Sequence, residues 1–211
     1  MRNNSLDRRA SAGGLTLIEL LVAITVLAVV AVLGWRGLDS IVRARIALTE
    51  NLEQTRGMQL TFAQLQNDCA QLAPANVLPD HATLIAEQGM LRLVRTVFAD
   101  NQPARLQIVT YRLRDGVLTR RASAETRDLK ELEALWKSEA RLDETDAVVL
   151  QSGVSELNMR LWVRGRSAWL SAAEVFAPDA KPGQALTGLE VDIRLMGRDT
   201  HLTKIFLLGV V

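Results

Sequence analysis

One cysteine and two histidines are all that 211 residues supply of the side chains that most often staple a fold or ligate a metal. Cys69 therefore has no internal disulfide partner, and His81 and His201 lie too far apart in sequence for any metal-ligand spacing. An excess charge of one sign is missing as well. Lysine and arginine number 25 against 24 acids and are interleaved with them, so the basic stripe of a nucleic-acid binder is absent and no nucleic-acid partner is expected. The sequence has no nucleophile and base arrangement, no glycine-rich phosphate loop and no paired carboxylates in a setting that would shift their pKa values. Asp143, Glu144 and Asp146 cluster, but they lack the ordered oxygen spacing of a calcium loop and read better as a solvated acidic loop. The expectation is a protein that is not an enzyme, with no catalytic residue, cofactor or metal.

What the chain does have is a long apolar run. Gly13 to Gly34 reads GGLTLIELLVAITVLAVVAVLG, about twenty apolar residues, enough to cross a bilayer as a helix, broken by one acid, Glu19. A carboxylate in hydrocarbon costs on the order of 2.5–3.5 kcal/mol, so such a residue needs a partner. Ahead of the run, Arg2, Arg8 and Arg9 against Asp7 hold that end in the cytoplasm and leave the remainder exported. No small-residue cleavage pattern follows the run, whereas Gly13-Gly14 precedes it; cutting there would expose Leu15 and keep the helix attached. Glu19 would then lie about 6 Å along the helix from the new terminus, near the membrane face. A neighbouring subunit's terminal amine, offset by a few ångströms, can neutralise it. The alternative is a carboxylate that stays protonated or snorkels to the headgroups.

Gly14-Leu15-Thr16-Leu17-Ile18-Glu19-Leu20-Leu21-Val22-Ala23 resembles the leader junction of type IV pilins and type II secretion pseudopilins, with Leu15 where that family usually has phenylalanine. The resemblance implies leader cleavage after Gly14 by a prepilin peptidase, N-methylation of Leu15, and Glu19 as the subunit-assembly glutamate. Losing the leader takes away three arginines and one aspartate, so the net charge falls from +1 to −1.

Beyond Gly34, Leu38, Ile41, Val42, Arg45, Leu48, Leu52, Met58, Phe62, Leu65, Cys69 and Leu72 recur at three- and four-residue steps, one face of a helix. Pro74 and Pro79 end it. From Leu15 to Leu72 the helix would run roughly 85 Å, half in lipid and half packed on a domain, with Gly34, Gly37 and Gly57 as bend points. Cys69 on the apolar face reads as a buried small hydrophobe. Strands are predicted at Leu84-Ile85, Met90 to Val97, Leu106 to Leu113 and Val117 to Thr119, with Asp115-Gly116 as a two-residue hairpin turn. A second group comprises Ala147 to Leu150, Val154 to Val163, Leu189 to Leu195 and Leu202 to Leu208, with Gly197-Arg198-Asp199 turning the last pair. Arg127 to Arg141 has helical spacing, a charged loop being the alternative, and Ser171 to Gly188, with Pro178 and Lys181-Pro182-Gly183, reads as an exposed loop. Trp162 and Trp169 suit a core or subunit contact better than a sugar-binding face.

The fold class is α+β: a long N-terminal helix, its first half membrane-spanning, packed on one or two antiparallel sheets. The segments are a leader at 1–14, a transmembrane helix at 15–34, an amphipathic stem at 35–73 and a periplasmic β-rich head at 74–211. Leu150 to Leu157, Met159-Arg160-Leu161-Trp162, Trp169, Leu189-Glu190-Val191, Thr203 to Leu208 and Gly34 to Ser40 are similar to the minor pseudopilin J family. That resemblance implies a subunit of the type II secretion pseudopilus tip, initiating filament assembly in the bacterial inner membrane. Its implied partners are the I and K minor pseudopilins, the major pseudopilin, the prepilin peptidase and inner-membrane lipid. The rivals are a minor pilin of a type IV pilus, serving adhesion, motility or DNA uptake, and a signal-anchored periplasmic enzyme.

Overall fold

The computed structural model describes residues 16–78, 81–139, 146–166, 168–177, 185–197, 199 and 201–209. Compactness divides the chain between Leu52 and Glu53 into a helical unit and a head. One helix, α1 (Leu17–Ala70), contributes to both. It stops at Ala70, short of Leu72: Leu72 N closes a tighter turn on Cys69 O at 3.2 Å, which also accepts from Gly209 N at 3.1 Å, and just past the helix Gln71 O accepts from Thr96 N at 2.8 Å. Pro74 then opens a short 3-10 turn, Ala75–Val77; Pro79 lies outside the described residues.

The head holds two antiparallel sheets. In the first, β1 (Leu84–Glu87), β2 (Met90–Val97), β3 (Arg105–Arg114), β4 (Val117–Ala122) and β5 (Val148–Ser152) stand side by side in chain order. In the second, β6 (Val154–Val163), β7 (Trp169–Ser171), β8 (Leu186–Leu195) and β9 (His201–Leu207) are ordered β7-β6-β8-β9. The α+β expectation therefore holds, with two sheets behind the helix. Asp115 and Gly116 have φ of 49° and 77°, the left-handed pair a tight hairpin requires, and they set Arg114 opposite Val117.

The main core joins Met58, Leu65 and Cys69 of α1 to inward residues of both sheets, among them Leu93, Val109, Leu161 and Ile193. A second core lies on the other face of the first sheet, where Leu132 and Trp136 of α2 (Leu129–Glu139) cover Val94 and Ile108. Both faces of β2 are thus covered, and Leu91 to Val94 are buried in succession, where a strand with one wet face would alternate. Helix α2 settles the Arg127 to Arg141 segment in favour of helix; Asp128 Oδ1 accepts from Lys130 N at 2.8 Å and caps it.

The expected loop from Ser171 to Gly188 needs correction. Ser171 ends β7, and α3 (Ala172–Val175) follows at once, held by a capping box between Ser171 and Glu174. Strand β8 begins at Leu186, before the expected Leu189, because β6 and β8 go on pairing through a register shift at Trp162/Val163. Pro178, the Lys181-Pro182-Gly183 turn, Arg198, and Asp143 and Glu144 of the acidic cluster lie outside the described residues.

Candidate functional site

Of the residues expected to matter at the amino end, Gly14 and Leu15 lie outside the described residues; Glu19 is in the first turn of α1. Its Oε2 accepts from Thr16 N at 2.9 Å and Thr16 Oγ1 at 2.8 Å, while Thr16 Oγ1 receives Glu19 N at 3.4 Å. This is a reciprocal cap of the helix start, and the T-x-x-E spacing that announces it is readable in the sequence, although the partner sought there was a neighbour's amine. Both inward bonds fall on one oxygen.

Every leucine, isoleucine and valine from Leu17 to Leu33 is exposed within the chain, Leu17 at 83%. The helix is long and apolar enough to cross a membrane. Water is a poor surrounding for such a surface, since each square ångström costs about 25 cal/mol. Further along, Leu38, Ile41, Val42, Leu48 and Leu52 are exposed too, so the face expected to pack on the domain is buried only from Met58 onward. Arg43 pairs with Asp39 one turn earlier.

The head carries one deeply buried polar centre. Asp68, in the last turn of α1, has no exposed surface and receives five hydrogen bonds. Arg120 of β4 forks onto it, Nε to Oδ2 at 2.8 Å and Nη2 to Oδ1 at 3.0 Å; Arg95 Nη1 of β2 reaches Oδ1 at 2.9 Å. Tyr111 Oη of β3 donates to Oδ2 at 2.5 Å and Gln64 Nε2 to Oδ1 at 3.3 Å. Burial, then the Asp68 charge, pushes the Tyr111 phenol up. Burial pulls the Arg120 guanidinium down, but its hydrogen bond and ion pair with Asp68 outweigh that and raise it. Next door, the Cys69 thiol is pushed up to about 12, first by burial and then by Asp68. It is the buried small hydrophobe expected.

Sequence reasoning passed over Asp68, although an acid on an apolar helix stripe is itself a signal. Its partners stand 27, 43 and 52 residues away.

Trp162 and Trp169 are in neither core. They meet edge to face, centroids 5.4 Å apart, on the outer face of the second sheet, where a side chain at Gly188 would crowd both, its Cβ at 3.1 and 3.2 Å from them. Leu207, paired with Gly188, and Ile205, paired with Glu190, extend this apolar strip across β9. On the same face Asp192 Oδ1 lies 2.7 Å from His201 Nδ1, and Oδ2 accepts from Thr203 Oγ1 at 2.7 Å. Burial opposes ionisation of Asp192, but these bonds prevail and hold its carboxyl below the usual range.

A prokaryotic N-terminal methylation motif matches residues 9–35, spanning Gly14, Leu15 and Glu19. From residue 36 to 208, nearly the whole remainder, the chain matches the model of type II secretion system protein J. The chain belongs to the type II secretion system protein J family. No curated protein matches it in a sequence search. Family membership and the methylation motif make a pseudopilin role in protein secretion the coarse function, with association among pseudopilins and prepilin-type processing.

Proposed function

We propose that this protein J family member is a minor pseudopilin of the pseudopilus tip, initiating filament assembly for export across the outer membrane. Its leader, 1–14, is removed by a prepilin peptidase between Gly14 and Leu15, and Leu15 is N-methylated. The helix at 15–34 spans the inner membrane once, the leader cytoplasmic and the head, 74–211, periplasmic on its stem at 35–73. The I and K minor pseudopilins and the major pseudopilin are its filament partners.

The observation that carries this reading is the single carboxylate, Glu19, in an otherwise uncovered apolar helix. Lipid satisfies the leucines and valines but not the acid. Thr16 supplies hydrogen bonds without charge, so a cation from outside the chain still improves the pair, and a neighbour's terminal amine is the natural source. Contacts of this head-to-tail kind need not close and so propagate as a filament.

Glu19→Ala should leave membrane insertion intact and weaken co-purification of sibling pseudopilins; undiminished co-purification overturns the pairing. Gly14→Ala should leave only leader-bearing chain on a denaturing gel, and a band of mature size would contradict the assigned junction.

A further inference from the structure

The helix end seated in the head packs through Met58, Thr61, Leu65 and Cys69, a face of small and aliphatic side chains. Hydrophobic contact is non-directional, so such a face alone tolerates slippage along the helix axis. Two points on it do not. At Gly57 an added Cβ would come to 3.3 Å from the Leu150 carbonyl oxygen, a backbone atom of β5 with little room to give, and would also displace the Gln151 side chain. Asp68 follows eleven residues later, about three turns and 16 Å along the same face.

We propose that Asp68, with Gly57 as its counterpart, fixes the axial register of α1 in the head, acting as a positioning residue. Three different strands bind the carboxylate, so one slip displaces it from all of them. A shift of one pitch, about 5.4 Å, exceeds any hydrogen-bond reach. It would bring Gln64 or Leu72 toward the guanidiniums of Arg95 and Arg120 and leave both without their counter-ion. At the other end the same slip would force a residue with a side chain into the Gly57 contact. Apolar packing supplies the adhesion; these two points supply the address.

The test separates register from stability by replacing the carboxylate and its three strand partners with apolar groups of similar size: Asp68→Leu, Arg95→Met, Tyr111→Phe and Arg120→Met. Spin labels go on cysteines introduced at exposed Ala63 and Asn158 of the full chain in detergent; Cys69, buried with its thiol pushed up to about 12, does not compete for label. The native cluster should give one label–label distance, and the apolar set a second population displaced by about one pitch. A single unchanged distance in the folded apolar variant overturns the proposal. If that variant does not fold, the crystal structure of Asp68→Glu decides. A pinned carboxylate stays in its fork and drives the helix back by about 1 Å, the reach of one added carbon–carbon bond. An unmoved helix with rearranged arginines refutes it.

Discussion

Asp68 concentrates more structure than any other described side chain. Two guanidiniums and a phenol surround its buried carboxylate, and the pairing is tight because Arg120 offers both nitrogens of its fork. Removing one member of such a cluster costs more than the bonds lost, because the remaining charges stay buried and unmatched. Asp68→Asn should therefore lower the unfolding free energy by about 3–5 kcal/mol, read as a shift in urea midpoint of the detergent-solubilised chain; a shift worth under about 1 kcal/mol, the surface-pair range, would show the cluster to be surface-like in strength. Glu19 is the opposite case. Its partner inside the chain is the cap at Thr16, so Asp68 is a matter of the head's own fold and Glu19 a matter of what lies outside it.

Among the elements, the β3–β4 hairpin shows how far local chemistry reaches. Asp115-Gly116 demands a two-residue turn, which sets Arg114 opposite Val117 and, three pairs on, Tyr111 opposite Arg120. The turn thus implies that Tyr111 and Arg120 are neighbours, but not that both meet Asp68, and the strand expected at Val117 to Thr119 stopped one residue short of Arg120. Replacing Gly116 by valine places a β-branched residue at φ 77°, with Met196 Cε 2.7 Å from the new Cβ, and should cost about 1–2 kcal/mol or more. Thermal melts of the full chain check this, and an unchanged midpoint would mean the turn relaxes freely. Strands β2 and β6 were readable end to end because apolar residues recur along their whole length, alternating with polar ones in β6. The three-residue β7 and the single turn of α3 were not: each is too short for periodicity, and only the Ser171–Glu174 capping pair marks them. The outward placement of Trp162 and Trp169 was equally hidden, since alternation in β6 gives two faces but does not say which one is covered.

At the scale of the molecule, the question is where the head begins. Composition suggested proline 74, the first residue that cannot continue the helix, but the core reaches back across it. Met58, Leu65 and Cys69 are as deeply buried as the strands they touch, and Asp68 is the counter-ion of Arg95 and Arg120. The end of the stem, from Met58 onward, is therefore part of the head's core. A fragment starting at Glu53 keeps that core and discards the exposed leucines and valines of the preceding helix; it should be soluble without detergent and melt cooperatively. One starting at Gln71 loses the helix side chains that share the main core with both sheets and strands two buried guanidiniums, each deficit costing several kcal/mol, against a total stability of about 5–15 kcal/mol. It should fail to fold, giving aggregate or a broad transition by circular dichroism and size exclusion. A cooperative, monomeric 71–211 fragment would place the helix end outside the folding unit, and the stabilising role assigned to Asp68 would fall with it.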